Sequence, residues 1–195
     1  MQIVLPGIHG SGELWLDIVK TICADTSGKY MIDLGCHKAP YTPLLGFKYR
    51  QYVDIQERPL DHESEQKYFF KFDVVDYVKR MPKSDATIIA SDVIEHLTKE
   101  EGMTFYEMIW FKAKEFVIFT PYGDCMINIG NPDSPDTHRS GWLPEDLEGS
   151  YSIVFPDFHP TLGIGAFFAF NNDEGNGEQI LNSIKQKYER QSRIS

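Results

Sequence analysis

Little in this sequence favours a crosslinked, membrane-bound or nucleic-acid-binding protein. Its three cysteines, Cys23, Cys36 and Cys125, cannot all pair and none forms a C-x-x-C, which argues for reduced thiols over a disulfide framework or a zinc knuckle. No apolar run approaches the roughly 20 residues of a membrane span. The start, MQIVLPGIHGSGE, has no basic region ahead of an apolar core, so no secretory signal is expected. Positive charge is scarce: 19 Lys and Arg stand against 29 Asp and Glu, a formal net charge of −10. No basic stripe with interleaved aromatics offsets it, which opposes binding to a phosphate backbone. A cytoplasmic protein that engages neither nucleic acid nor membrane is the expectation, with its oligomeric state open.

What is present suits one sizeable α/β domain: 195 residues with 42% hydrophobic and 13% aromatic content are short for two. Ser11 caps a helix whose apolar residues Leu14, Trp15, Ile18, Val19 and Ile22 recur at helical intervals; His9 to Gly12, just before it, is loose and polar and reads as a flexible entry loop, with folding over the ligand as the alternative. Tyr30 to Leu34 is a short buried strand, Tyr52 to Gln56 ends a second and Tyr68 to Phe72 is a third. Ala86 to Ala90 is a continuous apolar fourth, as in a parallel sheet covered on both faces. Between the second and third, the charges of Glu57 to Gln66 read as a solvated connection. Thr98 and Glu101 form a capping-box pattern ahead of a helix carrying Phe105, Met108 and Ile109. Phe116 to Thr120 is the next strand, stopped by Pro121. Tyr151 to Phe155 and Ile164 to Phe170 make an antiparallel pair joined through Pro156 to Gly163. Ile180, Leu181, Ile184 and Tyr188 mark an amphipathic terminal helix, so residues 1–171 read as the domain and 172–195 as a flexible linker with that helix.

Gly35 breaks the first of these strands into a tight loop. Such a corner lets a ligand approach bare backbone, and the N–H groups opening a following helix would meet the ligand's polar atoms. Pro40 to Gly46 predicts that this helix is brief. Asp54 follows Asp33 by twenty-one residues, about the spacing at which a carboxylate meets ribose hydroxyls. A dinucleotide-dependent dehydrogenase shares the architecture, but its phosphates need a turn of three glycines, and here Gly35 is followed by Cys36-His37-Lys38-Ala39.

Asp-Leu-Gly-Cys at the first strand, Asp54 closing the second, FDVVD (Phe72 to Asp76) after the third and ASDVIEHL (Ala90 to Leu97) after the fourth come in a familiar order. From about Gly10 to Phe170 the chain resembles the class I S-adenosylmethionine-dependent methyltransferases. TPYGD (Thr120 to Asp124) and HRSGW (His138 to Trp142) look like their small bacterial and archaeal branch, often linked to glycan or natural-product synthesis. The resemblance implies a single doubly wound, Rossmann-like α/β domain with a mostly parallel seven-stranded sheet and one antiparallel edge strand. It implies S-adenosylmethionine as cofactor, held by Asp33, Gly35, Cys36 and His37 on the first loop, Asp54 and Ile55 after the second strand, Asp73 and Val74 after the third, and Ser91 and Asp92 after the fourth. Asp73 would accept from the adenine amino group, while Asp76 caps the helix Tyr77 to Met81. The family pattern has glycine where His37 stands and often where Ala39 stands. The imidazole at 37 either crowds the cofactor's methionine part or bonds its carboxylate, with Lys38 adding charge beside it.

In-line methyl transfer needs proximity and a base for the nucleophile's proton. His96 and His138 are the candidate bases, and Arg139 is available to an anionic substrate group. Tyr122 to Ser140, rich in Gly, Asn, Pro and Asp, is longer than most connections and reads as a lid over the reacting centre. Asp92, Glu95, His96 and His138 are chemically able to hold a divalent ion, but no zinc-type spacing supports a site, and no metal is assigned. Enzymes that methylate DNA base amines usually carry Asp or Asn, two prolines and an aromatic after the fourth strand, where this chain has SDVIEH. The expected function is methyl transfer to a hydroxyl or carboxyl of a small-molecule or glycan acceptor. Its rival is a non-catalytic binding or scaffold protein of the same fold with a degenerate glycine loop.

Overall fold

The computed structural model describes residues 1–23, 29–124, 133–172 and 175–191. Its strands are β1 (Gln2–Val4), β2 (Tyr30–Leu34), β3 (Tyr49–Asp54), β4 (Phe69–Lys71), β5 (Ser84–Ser91), β6 (Ala113–Tyr122), β7 (Tyr151–His159) and β8 (Ile164–Asn171). They form one sheet in the order β1-β7-β8-β6-β5-β2-β3-β4. All neighbours pair in parallel except β8, which runs against both β6 and β7. The doubly wound, mostly parallel architecture is therefore as expected, with two differences. An eighth strand, β1, extends the sheet beside β7, and the antiparallel strand lies inside the sheet instead of at its edge.

Among the described residues, four α-helices cover the two faces: α1 (Gly12–Cys23), α2 (Val74–Arg80), α3 (Lys99–Lys112) and α4 (Gly177–Gln191). The Ser11 hydroxyl accepts from the Leu14 N–H at 3.0 Å and starts α1. The Thr98–Glu101 capping box starts α3. On one face, Ile18, Val19 and Ile22 of α1 and Leu181 and Ile184 of α4 pack with Met31, Val117 and Phe168. On the other, Val75 and Val78 of α2 and Phe105 and Ile109 of α3 pack with Ile32, Ile88 and Ile118. Burial on both faces is why β2 and β5 read as unbroken apolar runs.

Several local expectations change in this context. Pro121 does not stop β6, which continues to pair with β8 as far as Tyr122↔Gly165; the β5 ladder has already ended at Ser91↔Phe119, so no strand on that side needs the missing N–H. Pro156 likewise lies inside β7, at an irregularity between Phe155 and His159. Asp73, and not Asp76, caps α2: its side chain accepts from the Asp76 N–H at 2.9 Å. Glu65 is buried instead of solvated, bound by Arg50 and by the Tyr52 hydroxyl. Between β2 and β3 there is no α-helix, only a 3₁₀ turn over Thr42–Leu45, so no helix N-terminus follows the Gly35 corner.

Candidate active site

A cavity of about 580 Å³ opens at the carboxyl ends of the parallel strands. The strand order reverses between β2 and β5, the position where open α/β sheets take ligands. At the end of β2, Gly35 has φ +68°, and a Cβ there would lie 2.4 Å from Val93 Cγ2, so both conformation and packing require glycine. The next turns keep that character without glycine: His37 and Ala39 have φ of 48° and 47°. The backbone thus takes a left-handed, glycine-like course where the side chains are imidazole and methyl. His37 is exposed on the cavity wall, whereas Lys38 is not part of that wall and only its carbonyl is engaged, by the Asp61 N–H.

Two acids anchor this end. Asp54 accepts from the His37 N–H at 2.8 Å on one oxygen and from the Gln56 N–H at 2.8 Å on the other. Asp33 is buried and accepts from the Thr42 hydroxyl at 2.6 Å. Burial pushes its carboxyl up to about 7; the Thr42 bond opposes this and the nearby Asp54 charge adds to it. Burial also pushes the Cys36 thiol up, so it stays a protonated packing group.

The other end is built on the 3₁₀ turn Ile94–His96 after β5. Asp92 has φ 53°, a sparsely populated conformation for a residue with a side chain, and stands open to the cavity but enclosed by protein on its other sides. Burial pushes its carboxyl up to about 6, and a hydrogen bond with Glu95 opposes the rise. Glu95 is buried, 2% exposed. Burial first, then the Asp92 charge, raises its carboxyl well above the ordinary range. Glu95 Oε2 accepts from the Thr120 hydroxyl at 2.9 Å. The His96 and His138 rings meet edge to face with centroids 4.9 Å apart. Burial holds the His96 imidazole below its usual range.

Of the expected lid, residues 125–132 lie outside the described residues; 133–140 pack over this turn. The N–H groups of Arg139 and Ser140 both donate to the Glu95 carbonyl, at 2.7 and 3.2 Å. The Arg139 guanidinium donates to the His96 and Ser134 carbonyls, so it stitches the segment to the turn instead of waiting for an anion. Trp142, fully buried, donates to the Ile94 carbonyl and packs where Gly102 of α3 leaves room. Asp136 closes on the second-strand side through Arg58 at 3.0 Å.

No protein-family model matches the sequence, and no curated protein does. Solved structures do match. A SAM-dependent methyltransferase from Archaeoglobus fulgidus is 19% identical with a TM-score of 0.57, over 83% of this chain and 95% of that one. The fold is that of the class I S-adenosylmethionine-dependent methyltransferases. The magnesium protoporphyrin IX methyltransferase ChlM of Synechocystis PCC 6803, solved with bound SAH, is similar at 15% identity and a TM-score of 0.57, over 82% of each chain. The N-methyltransferase NodS of Bradyrhizobium japonicum WM9 is similar at 12% and 0.58, over 81% of this chain and 93% of its own. One methyltransferase fold thus serves chemically different acceptors.

Within this methyltransferase fold, all ten residues expected at the cofactor border the one cavity, as do His96 and Arg139; His138 reaches it through His96. Of the two sequence readings of His9 to Gly12, the structure favours the one beside the ligand cavity, where Gly10, Ser11 and Gly12 form part of an N-terminal wall; Trp15, Phe158 and His159 in that wall were not foreseen. Trp15 donates to the Ser91 hydroxyl at 3.1 Å and stacks near Tyr41. Gly10 and Gly12 are pressed so closely against Phe158 and Tyr41 that a Cβ would meet those rings at 2.3 and 2.1 Å. The segment before α1 is pinned, not loose: Gly10 N–H donates to the Phe158 carbonyl and Gly7 N–H to Asp157. The adjacent glycines at 10 and 12 were the available signal. Phe158 and His159 were hidden because Pro156 reads as a turn.

Proposed function

We propose that this chain binds S-adenosylmethionine in the cavity and transfers its methyl group to a hydroxyl or carboxyl of a small-molecule or glycan acceptor. The observation that supports this best is Asp54. Its carboxylate stands at the carboxyl end of β3 with both oxygens oriented by backbone N–H groups, which leaves lone pairs for two neighbouring hydroxyls of a ribose. The left-handed backbone at His37 and Ala39 speaks against a degenerate loop, because the conformation glycine would adopt is retained. The cavity volume lies in the range of small-ligand sites.

In this reading Asp54 holds the ribose, Asp33 with the Gly35–His37 turn holds the methionine part, and Ile55, Asp73 and Val74 border the base. The bound sulfonium supplies an electrophilic methyl group. Trp15, Phe119 and Phe158 give the cavity apolar walls that exclude water. His96, kept neutral by its burial, accepts the acceptor's proton. The net charge of −10 supports an acceptor other than nucleic acid.

Calorimetric titration with S-adenosylmethionine and S-adenosylhomocysteine tests the reading. Asp54→Ala should weaken binding by about 1.5–3 kcal/mol, the loss of a charged two-point acceptor. No binding by the parent protein leaves the scaffold reading, and equal binding by the variant removes Asp54 from the site.

A further inference from the structure

The geometry points to a divalent transition-metal site formed by Glu95, His96 and His138, beside Asp92, at the acceptor end of the cavity. One carboxylate oxygen of Glu95 and one ring nitrogen from each histidine lie within 4.8 Å of one another. A first-row ion about 2.1 Å from each donor sets neighbouring ligands about 3.0–3.4 Å apart, so the donors draw together by up to roughly 1–2 Å on binding.

Two independent observations mark the set as made for a ligand. Glu95 is 2% exposed, yet its Oε1 is buried with no N–H or hydroxyl donor among the described residues, apart from the neighbouring Asp92 carboxyl group; His96 Nδ1 is buried without a hydrogen-bond partner among them. Buried polar atoms are nearly always satisfied, and a cation satisfies both at once. The surrounding backbone is also fixed. The Arg139 and Ser140 N–H groups bind the Glu95 carbonyl, and Thr120 orients the other Glu95 oxygen. Asp92, hydrogen-bonded to Glu95, holds its left-handed φ of 53° at the point where its carboxylate borders both the cavity and this cluster. Two imidazoles and a carboxylate suit manganese, iron, cobalt or zinc, with further positions left to solvent or substrate.

This inference rests on the methyltransferase reading for its role. An acceptor hydroxyl bound to the ion loses its proton to solvent more readily, His96 then serving as ligand in place of base. The O–CH₃ bond then forms as the S–CH₃ bond breaks, with the electron pair staying on the neutral sulfide. The acceptor is therefore an oxygen nucleophile able to reach the ion.

The test is metal binding by tag-free protein stripped with chelator, titrated with Mn²⁺ and separately with Co²⁺, each followed by calorimetry and equilibrium dialysis. One ion per chain is expected, weakened at least about tenfold in His138→Ala and in Glu95→Gln and unchanged in His62→Ala, whose ring binds the Pro40 carbonyl instead. No binding by folded parent protein at millimolar metal, or stoichiometric binding undiminished in both ligand variants, overturns the proposal. Cofactor titration in chelator separates the two readings: cofactor binding without metal binding defeats the metal site alone, and metal binding without cofactor binding defeats the methyltransferase reading alone.

Discussion

The left-handed turn at His37 makes a quantitative prediction. A side-chain-bearing residue pays about 1–2 kcal/mol in this conformation, and His37 recovers little of it. It is exposed and its imidazole makes no hydrogen bond among the described residues; only its backbone is used, the N–H toward Asp54 and the carbonyl toward the Cys36 thiol. His37→Gly removes the strain and keeps that N–H. The added freedom of the unfolded chain takes back about 0.4–1 kcal/mol, for a net gain of about 0.5–1 kcal/mol. In a domain of this size that is a melting temperature higher by roughly 1–4 °C. His37→Ala keeps the strain and should leave stability where it is. Ala39→Gly, at φ 47° but 2% exposed, also loses a buried methyl, roughly 0.8 kcal/mol, and should come out near neutral. Thermal and urea unfolding of the three variants at constant m-value reads the series directly. If His37→Gly is no more stable than His37→Ala, the strain argument fails. Calorimetry on the same variants separates the imidazole's two roles toward S-adenosylmethionine. Tighter binding by His37→Gly means that the ring crowds the cofactor, weaker binding that it holds the carboxylate, and no change rejects both.

Gly102→Ala tests how the histidine segment is held. Ala in mid-helix is usually worth about 1 kcal/mol over Gly, but here its Cβ would lie 2.4 Å from Trp142 Cζ2, so the sign should reverse, with a net loss of about 1–3 kcal/mol; a more stable variant refutes the packing. Asp33→Asn tests the buried acid. A folded-state value raised from 3.8 to about 7 favours the fold while the group is protonated, an advantage complete below pH 3.8 and lost as pH rises through about 7, on the order of 4 kcal/mol. The amide still accepts from Thr42, so the variant's stability should fall less steeply between about pH 4 and 7, and parallel profiles for the two proteins contradict the burial argument.

The legible parts of this fold are those whose determinants sit within a few residues of one another. The Ser11 cap, the Thr98–Glu101 capping box and the strand Tyr30–Leu34 appear where their local patterns place them. The misread parts depend on neighbours that are distant in sequence. A proline ends a strand only if a neighbouring strand needs its N–H, and for Pro121 that follows from where β5 stops. Glu65 looks solvated until Arg50 and Tyr52, on β3, are brought to it. In DVVD either acid is able to open a helix; the chain's exit from β4 makes Asp73 the cap. β1 is three residues long with one buried side chain, too short to show a period. The approach of His138 to Glu95 and His96, which the residue types alone allowed but could not place, comes about because two N–H groups and Trp142 dock its segment on their turn.

The absent helix between β2 and β3 explains much of the cavity's shape. In a doubly wound sheet each crossover normally lays a helix over the face it crosses, yet here the β2–β3 and β3–β4 crossovers carry only 3₁₀ turns. The chain covers that face from its two ends. α1 precedes the first core strand, α4 follows the last, and Lys187 and Tyr188 of α4 both bind Asp17 of α1. Placing α1 there brings Trp15 onto Ser91 and draws the glycine-containing segment before it against Phe158 and Tyr41. A wall that a crossover helix would have built from the cofactor loop is thus built from the N-terminus and the kinked end of β7. Acceptor preference in this fold resides in the parts added around the sheet. In the proposed reading, the N-terminal segment, Phe158, His159 and the 133–140 segment are those parts, so substitutions there should change which acceptor is taken in an activity screen and leave S-adenosylmethionine affinity, read by calorimetry, unchanged; a loss of that affinity instead would contradict the division.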